Sequence, residues 1–346
     1  MPEWHDKKRA VRFETRKVGI AMLRFIVRRL LLMIPVLIGI TIVIQLLIEV
    51  TPGDPAKLML GQNATPERVE ELREQLGLSD PLPVRYWRYI KGIVTRGDFG
   101  TSFTTKRPVI EEMAQRIPYT LFLVTTSLLL AVIIGIPIGV FASTNQNTWK
   151  DNVAMFLALF CVSMPSFWFA LMLVQWFAVK LQLFPLSGVD NWKGWILPCV
   201  SLALGMVANI SRQTRSNMLE VIRQDFITTA RSKGLPERKV KYRHALKNAM
   251  IPIIMVIGTM FGSLIGGALV AETIFSIPGL GMYTLQGLNN RDYPVIQSSV
   301  LLLSIVFAIV MLLVDVIFAL VDPRVRSQYF SKKRKKHSAK KSGAYT

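Results

Sequence analysis

Six stretches of this chain are apolar for long enough to cross a bilayer: residues 30–48, 119–141, 153–179, 195–210, 249–271 and 295–320. About 30 Å of hydrocarbon takes roughly 20 helical residues to cross. Backbone amides in lipid must be paired within their own segment or within a closed barrel. No barrel-type alternation is present, so the expected fold is all-α and transmembrane, with six spans. The fourth stretch is the weakest, because Pro198 and Gly205 interrupt it. The two cysteines, Cys161 and Cys199, fall inside spans and carry no disulfide or CxxC chemistry. The first stretch is read as a span and not a cleaved signal peptide, since no small-residue cleavage pattern follows at 49–55.

Charge orients the spans. The net charge is +20, and its basic residues gather in three places: before residue 30, between Arg212 and Lys247, and from Arg324 to Lys341. The connection between spans five and six carries only Arg291, and that between three and four only Lys180 and Lys193. The positive-inside rule then places both termini and the 212–247 stretch in the cytoplasm. Residues 50–117 are then expected to lie outside. The basic balance is read as attraction to anionic lipid headgroups, not as a nucleic-acid footprint.

The outer region has local order of its own. Thr51-Pro52-Gly53-Asp54-Pro55 reads as a sharp turn. Thr65-Pro66 opens a helix with an apolar stripe of Val69, Leu72 and Leu76, closed by Gly77. A second helix is expected over 83–94, a turn at Arg96-Gly97-Asp98-Phe99-Gly100, and a short helix over 109–116 leading into span two. These helices pack on the outer rim or contact a delivered ligand or its carrier.

The 212–247 stretch holds ten Lys and Arg against three acids. It reads as two helices hinged at Gly234, with Asp225 capping the first and Leu235-Pro236 starting the second. A folded basic hairpin on the cytoplasmic face is best explained by another protein docked there; the plainer alternative is a positive-inside loop.

No enzyme shows itself. There is no GxxxxGK[ST], HExxH or GxSxG, and His5, His244 and His337 are scattered. Three classes remain: a transport channel powered from elsewhere, a membrane enzyme using sparse acids, and a scaffold or receptor. The polar inventory of the spans is mostly hydroxyls and amides, with Asp315 the one clear acid. An ion-coupled carrier would hold carboxylates near the midplane. Asp315 lies too near the inner surface for that, and is read as the partner of an inner basic group or of a polar group on a neighbouring helix. Gly258, Gly262 and Gly266 line one face of span five, and Gly135 and Gly139 one face of span two around Pro137, where other helices can approach closely. Ser163, Pro165 and Ser166 mark a kinked, cavity-facing part of span three. With the three glycines of span five they form the candidate path or gate.

Several ordered motifs resemble one family. They are Pro52-Gly53-Asp54-Pro55, Leu76-Gly77-Leu78 with Pro81-Leu82 and Arg85-Tyr86, and Gly97-Asp98-Phe99-Gly100 before Ser102. Thr228-Thr229-Ala230 with Gly234 and Ile251-Pro252 follow. Glu272-Thr273-Ile274-Phe275-Ser276-Ile277-Pro278-Gly279-Leu280-Gly281, Arg291-Asp292-Tyr293-Pro294 and Asp322-Pro323-Arg324 complete the series. From about Arg24 to Arg326 the chain resembles the permease subunits of binding-protein-dependent ABC importers for dipeptides, oligopeptides and, in some relatives, nickel. It departs from the general cytoplasmic signature of Glu-Ala-Ala, three residues, then Gly, because Thr228 and Thr229 replace the Glu and first Ala.

The resemblance implies a six-helix type I ABC importer permease fold with an extracytoplasmic helical insertion between helices 1 and 2. It implies a division into a basic cytoplasmic segment (1–29), first span plus outer helices (30–118), a permease core with its coupling hairpin at 213–247 (119–320), and a basic tail expected to be disordered (321–346). It implies a second homologous permease, two cytoplasmic ATPases that hold ATP and Mg, an extracytoplasmic substrate-binding protein, and a peptide cargo. No cofactor is expected on this chain. The coupling hairpin would use Asp225, Ala230, Gly234, Leu235, Pro236, His244, Ala245 and Asn248. The implied location is a bacterial or archaeal plasma membrane. A nickel or other small-solute importer, and an ion-coupled secondary carrier, stay open as alternatives.

The orientation has a direct test. Single Lys7→Cys, Asn63→Cys and Lys335→Cys variants, with both native cysteines replaced, are treated in intact cells with an impermeant thiol reagent. Only position 63 is expected to label. Labelling at 7 or 335 with none at 63 reverses the topology.

Overall fold

The computed structural model describes the backbone of residues 2–51, 53–61 and 64–321, with side chains from residue 22 to 318 except residue 58. Pro52, Asn63, Asp322-Pro323-Arg324 and the basic tail lie outside the described residues. So do the side chains of the basic N-terminal segment.

The described residues are mostly helical. A first helix, α1 (Pro2–Val50), contains the apolar part Met22–Val50. The outer region follows as α2 (Pro55–Leu60), α3 (Pro66–Gln75) and α4 (Leu82–Arg96). The local signals explain their ends. Asp54 accepts from the Ala56 amide at 2.9 Å and caps α2. Pro66 occupies the first turn of α3, where a missing N–H costs nothing. Gly97 closes α4 in the left-handed conformation, at φ 64°. The short helix expected over 109–116 is not separate. It is the first part of one continuous helix, α5 (Val109–Thr144), which carries Pro118 and Pro137 within it.

The third span is broken. Helix α6 (Trp149–Ser163) and helix α7 (Ser166–Leu173), extended by a π-helical turn over Val174–Lys180, meet at a 98° bend. Pro165 lacks an amide and pushes Met164 out of the helical region, to ψ 129°. The sequence located this kink but read a single bent span; a near right angle makes it two segments. Helix α8 (Ile196–Ile222), entered through a 3-10 turn at Trp192–Trp195, leads to α9 (Asp225–Ser232). One turn of helix, α10 (Glu237–Lys239), runs through a π-helical turn at Val240–Ala245 into α11 (Leu246–Phe275). Helices α12 (Leu280–Asn290) and α13 (Tyr293–Val321) finish the described chain. Among the described residues, five helices are long and apolar enough to cross a membrane, and the bent pair makes a sixth crossing when counted as one.

The core is built around α5 and α8. Both glycines of α5 face α8: a Cβ on Gly135 would lie 3.0 Å from the side chain of Ile210 and from the Val207 carbonyl oxygen. At Gly139 it would lie 2.5 Å from the Ser211 carbonyl oxygen and from Thr214 Cβ. Bare glycine faces let helix backbones approach closely, which is how association is driven where lipid removes the hydrophobic contrast. Around this pair Leu123, Val124, Ile210, Phe261, Leu264 and Phe275 pack with α7 and α11. Helix α13 lies on α11, with Val314 over Gly258 and Phe307 over Gly262. The fourth span, weakest in the sequence, has the largest share of its apolar window buried, 61% against 6% for the last. It faces protein, so it needs less lipid-soluble surface.

Gly139→Ala should lower thermal stability by about 1–3 kcal/mol, because the added carbon meets backbone that cannot move aside. Gly205→Ala, where the added carbon meets nothing within 4 Å, is the helix control and should not destabilise. Thermal unfolding of the two variants in the same detergent checks the pair; equal melting temperatures would place the α5–α8 contact elsewhere.

Candidate coupling surface and translocation path

The hairpin at Gly234 grows out of two spans. Helix α8 runs on past its apolar part to Ile222, turns at Arg223-Gln224, and enters α9. Gln224 is the N-cap and gives no side-chain cap bond. Asp225 is therefore not the cap the sequence proposed; it sits in the first turn, where its charge suits the helix dipole. Gly234 follows with φ +72°, donating its amide to the Arg231 carbonyl at 2.9 Å. That is the left-handed turn the sequence called for, and a glycine adopts it without steric cost. Pro236 is extended and opens α10. The second half of the hairpin does not end before the membrane, since it passes straight into α11.

The hairpin has two unlike faces. Ile227, Ala230, Val240, Ala245 and Ala249 are buried against Met218 and Val221, with Leu235 packed beside them. Small residues at 230 and 245 let the two arms close on each other. The other face is exposed: Asp225, Phe226, Gly234, Pro236, Tyr242 and Asn248 all point away from the bundle. Nothing lies within 4 Å of where a Cβ on Gly234 would stand. His244 is half-buried, and its carbonyl accepts from Asn248 Nδ2 at 2.7 Å. Arg231 and Glu237 bridge the turn at 2.7 Å, but both are exposed, so the pair contributes little.

A second contact holds the hairpin's root, and the sequence reading missed it. Asp151, 1% exposed in the first turn of α6, takes a two-pronged grip from Arg215 of α8, with both nitrogens at 2.6 Å. It also accepts the Asn147 amide at 3.1 Å. The legible signal was an acid at the mouth of span three, facing a cytoplasmic stretch rich in arginine.

The path candidates divide. Ser163, Pro165 and Ser166 sit at the α6–α7 bend and are exposed, Ser163 Oγ donating back to the Leu159 carbonyl at 2.9 Å. Gly258 and Gly262 are covered by α13, whereas Gly266 is exposed and has open space beside it. Thr259 and Ser263 are exposed on that same open side of α11. Asp315 pairs with Arg29 at 3.0 Å, as expected of an acid near the inner surface.

Asp315 is not the only acid within the helices. Glu272 is fully buried near the outer end of α11, accepting from Thr120 Oγ1 at 2.6 Å and the Met282 amide at 2.8 Å. Leu280 donates its amide to Thr120 Oγ1 at 2.8 Å, so one carboxylate and one hydroxyl hold α5, α11 and the start of α12. Glu112 accepts from Tyr283 Oη at 2.5 Å beneath Arg116, whose guanidinium lies 4.2 Å from the ring centre. Burial, then the Glu112 bond, raises the Tyr283 phenol above its ordinary value. Asp292 accepts from Ser102 Oγ at 2.6 Å and the Thr104 amide at 3.0 Å, tying α13 to the outer loops. Among the described residues no group of His, Cys, Asp and Glu is arranged to hold a metal ion.

Comparison with known proteins gives a consistent picture. Residues 135–327 match the family described as binding-protein-dependent transport system inner membrane component, and residues 22–124 match its N-terminal counterpart. A dipeptide transport system permease protein of Alkalihalophilus pseudofirmus is 43% identical, over 88% of this chain and 100% of its own length. A glutathione transport system permease protein of Escherichia coli K12 is 40% identical, over 88% of this chain and 99% of its own. The inward-facing MetNI methionine ABC transporter contains a chain of similar fold, at TM-score 0.54 and 18% identity, covering 62% of this chain and 97% of that one.

Asp151→Ala leaves the half-buried Arg215 guanidinium without its carboxylate, and should destabilise by about 2 kcal/mol, short of a fully buried pair because Arg215 reaches solvent. Arg215→Ala should cost a similar amount, and the double variant less than the sum of the two. Additive losses in a thermal double-mutant cycle would mean the pair does not couple α6 to α8.

Proposed function

The chain belongs to the family of binding-protein-dependent transport system inner membrane components, and from that premise we propose that it forms half of a peptide path whose gate is worked from the hairpin at Gly234. It is the permease component of an ABC importer and a multi-span membrane protein; ATP hydrolysis belongs to separate subunits. The proposed cargo is a di- or oligopeptide, because the relatives at 40–43% identity carry dipeptides and glutathione, a tripeptide. The proposed partners are a second permease, two ATPases binding ATP and Mg beneath, and a binding protein outside. The proposed setting is a bacterial or archaeal inner membrane, with six crossings, the α2–α4 insertion outside and both termini in the cytoplasm.

The observation that carries the coupling reading is the shape of the hairpin. Its apolar face is consumed by the bundle, and its exposed face ends in a left-handed glycine with nothing of its own chain in front of it. A docked ATPase would meet Phe226, Gly234, Pro236 and Tyr242 at that face. For the path, the open side of α11 with Thr259, Ser263 and Gly266, together with Ser163 and Ser166 at the bend, offers small groups and hydroxyls. Such a surface suits weak contact with peptide backbone of many sequences. The named acids of the bundle, Glu272, Glu112 and Asp315, are all engaged by internal partners, which fits drive from outside the spans.

Gly234→Val tests the reading. A branched residue at φ +72° carries strain of about 1–3 kcal/mol and places its methyls on the proposed contact face. Its own chain offers no clash, so insertion and abundance should stay normal. Peptide uptake and substrate-stimulated ATP hydrolysis should fall sharply, while Lys239→Ala, on an exposed side chain, should retain both. Normal uptake with full ATPase recovery in the valine variant would move the coupling turn away from Gly234.

A further inference from the structure

Helix α4 has an outward face that the permease reading does not use. Its inner side is pinned. Tyr86 Oη meets Thr41 Oγ1 of α1 at 2.9 Å, and Arg85 meets Glu49 of α1 at 3.0 Å. Just beyond its C-terminus, the Phe99 carbonyl accepts from Ser298 Oγ of α13 at 2.8 Å. Gln45 and Gln297 join α1 to α13 at the same level.

These contacts set a depth. Thr41 lies nine residues, about 14 Å of helix, before the outer end of α1 at Val50. Ser298 lies five residues, about 8 Å, inside the outer end of α13 at Tyr293. So α4 lies beside the outer ends of two membrane spans and does not stand above them. At that level α1 itself presents Val43, Leu46, Leu47 and Val50 outward, 49–80% exposed.

The outward face of α4 is apolar as well. Val84, Trp87 and Val94, 47%, 66% and 78% exposed, recur at helical spacing along one side. Lys91 stands among them and Arg88 beside them, both exposed; Arg88 also pairs with Asp80 at 2.5 Å. Aromatic and aliphatic groups mixed with long cations whose stems are apolar are the pattern of a helix lying in the headgroup boundary.

We propose that α4 is an interfacial helix, seated in the outer leaflet with Val84, Trp87 and Val94 among acyl chains and Lys91 reaching lipid phosphates. Its occupant is the lipid surface, since the contacts to Thr41, Glu49 and Ser298 hold the helix at the depth of the span ends and Lys91 complements phosphate. The helix would fix the outer ends of α1 and α13 at one depth while inner parts of the bundle move. This goes beyond the transport reading and does not depend on the cargo.

Nitroxide labels test it. Val84→Cys, Trp87→Cys and Val94→Cys are made one at a time in the full chain lacking Cys161 and Cys199, coexpressed with the rest of its importer. The assembled transporter is placed in nanodiscs of phosphatidylcholine and phosphatidylglycerol. Glu71→Cys on exposed α3 is the water-facing control. Collisional relaxation is measured with oxygen, which partitions into lipid, and with a water-soluble nickel chelate. The oxygen-to-chelate ratio at the three α4 sites should exceed that at Glu71 severalfold. A ratio equal to the control would mean a water-facing surface free for a soluble partner, and would overturn the proposal. Low accessibility to both reagents would mean that protein covers the helix, and would overturn it equally.

Discussion

The approach of α5 to α8 sets the positions of the other elements. Two glycines a helical turn apart bring α5 against the backbone of α8, at Val207 and Ser211. In lipid this closeness does what hydrophobic burial does in water: it gives two apolar rods a reason to touch. Once α8 is fixed, its extension beyond the apolar part fixes α9, and Arg215 fixes the start of α6 through Asp151. Helix α11 then packs on both α5 and α8, leaving its own glycines for α13. The packing is graded, from a pair that tolerates no added carbon to outer helices that lean on it.

Polar groups appear where helices must be joined at their ends, and each of the carboxyl groups has at least one partner. Glu272 accepts from a hydroxyl and an amide; Glu112 takes a phenol; Asp292 takes a hydroxyl and an amide. An unpaired carboxylate in such places would be costly, so these groups specify which elements meet. They also tie α5, α11, α12 and the start of α13 together at that end of the bundle. At the other end the ties among the described residues are chiefly Asp151–Arg215 and Arg29–Asp315.

What could be read from the sequence follows from how local each signal is. Gly234, Gly97 and Gly77 announce turns within a few residues of themselves, and all three have positive φ. Asp315 near the inner edge of a span announced a basic partner, found as Arg29. Glu272 escaped because the fifth span was closed at residue 271 and because its partner Thr120 is 152 residues away. The bend at Pro165 was visible, but its size was not; a proline states that a helix is interrupted and leaves the angle to packing. The second arm of the hairpin was read as separate from span five, since its basic residues look like a loop. In the fold the charged and apolar parts share one helical axis, because helical periodicity continues through Val240, Ala245 and Ala249, which are all buried. The candidate path was the least legible part, because Gly258, Gly262 and Gly266 recur at one spacing yet only the last is left open.

That continuity bears on how a push at the hairpin would travel. Gly234 lies between a helix that leads directly into the bundle and another that leads directly out of it. A displacement of the turn would load α8 through α9 and α11 through α10 without a flexible linker on the second side. Helix α5 would follow α8, because their backbones touch, and α6 would follow through the two-pronged grip on Asp151. The outer carboxylates resist the same displacement, so the bundle would pivot about its outer end and open or close most at its inner one. The bend between α6 and α7 is where such a motion can be absorbed: Met164 is already extended and Pro165 has no amide to lose. A single protein contact on the cytoplasmic face would then reach four spans through rigid elements and one hinge, with no charged group needed at the midplane.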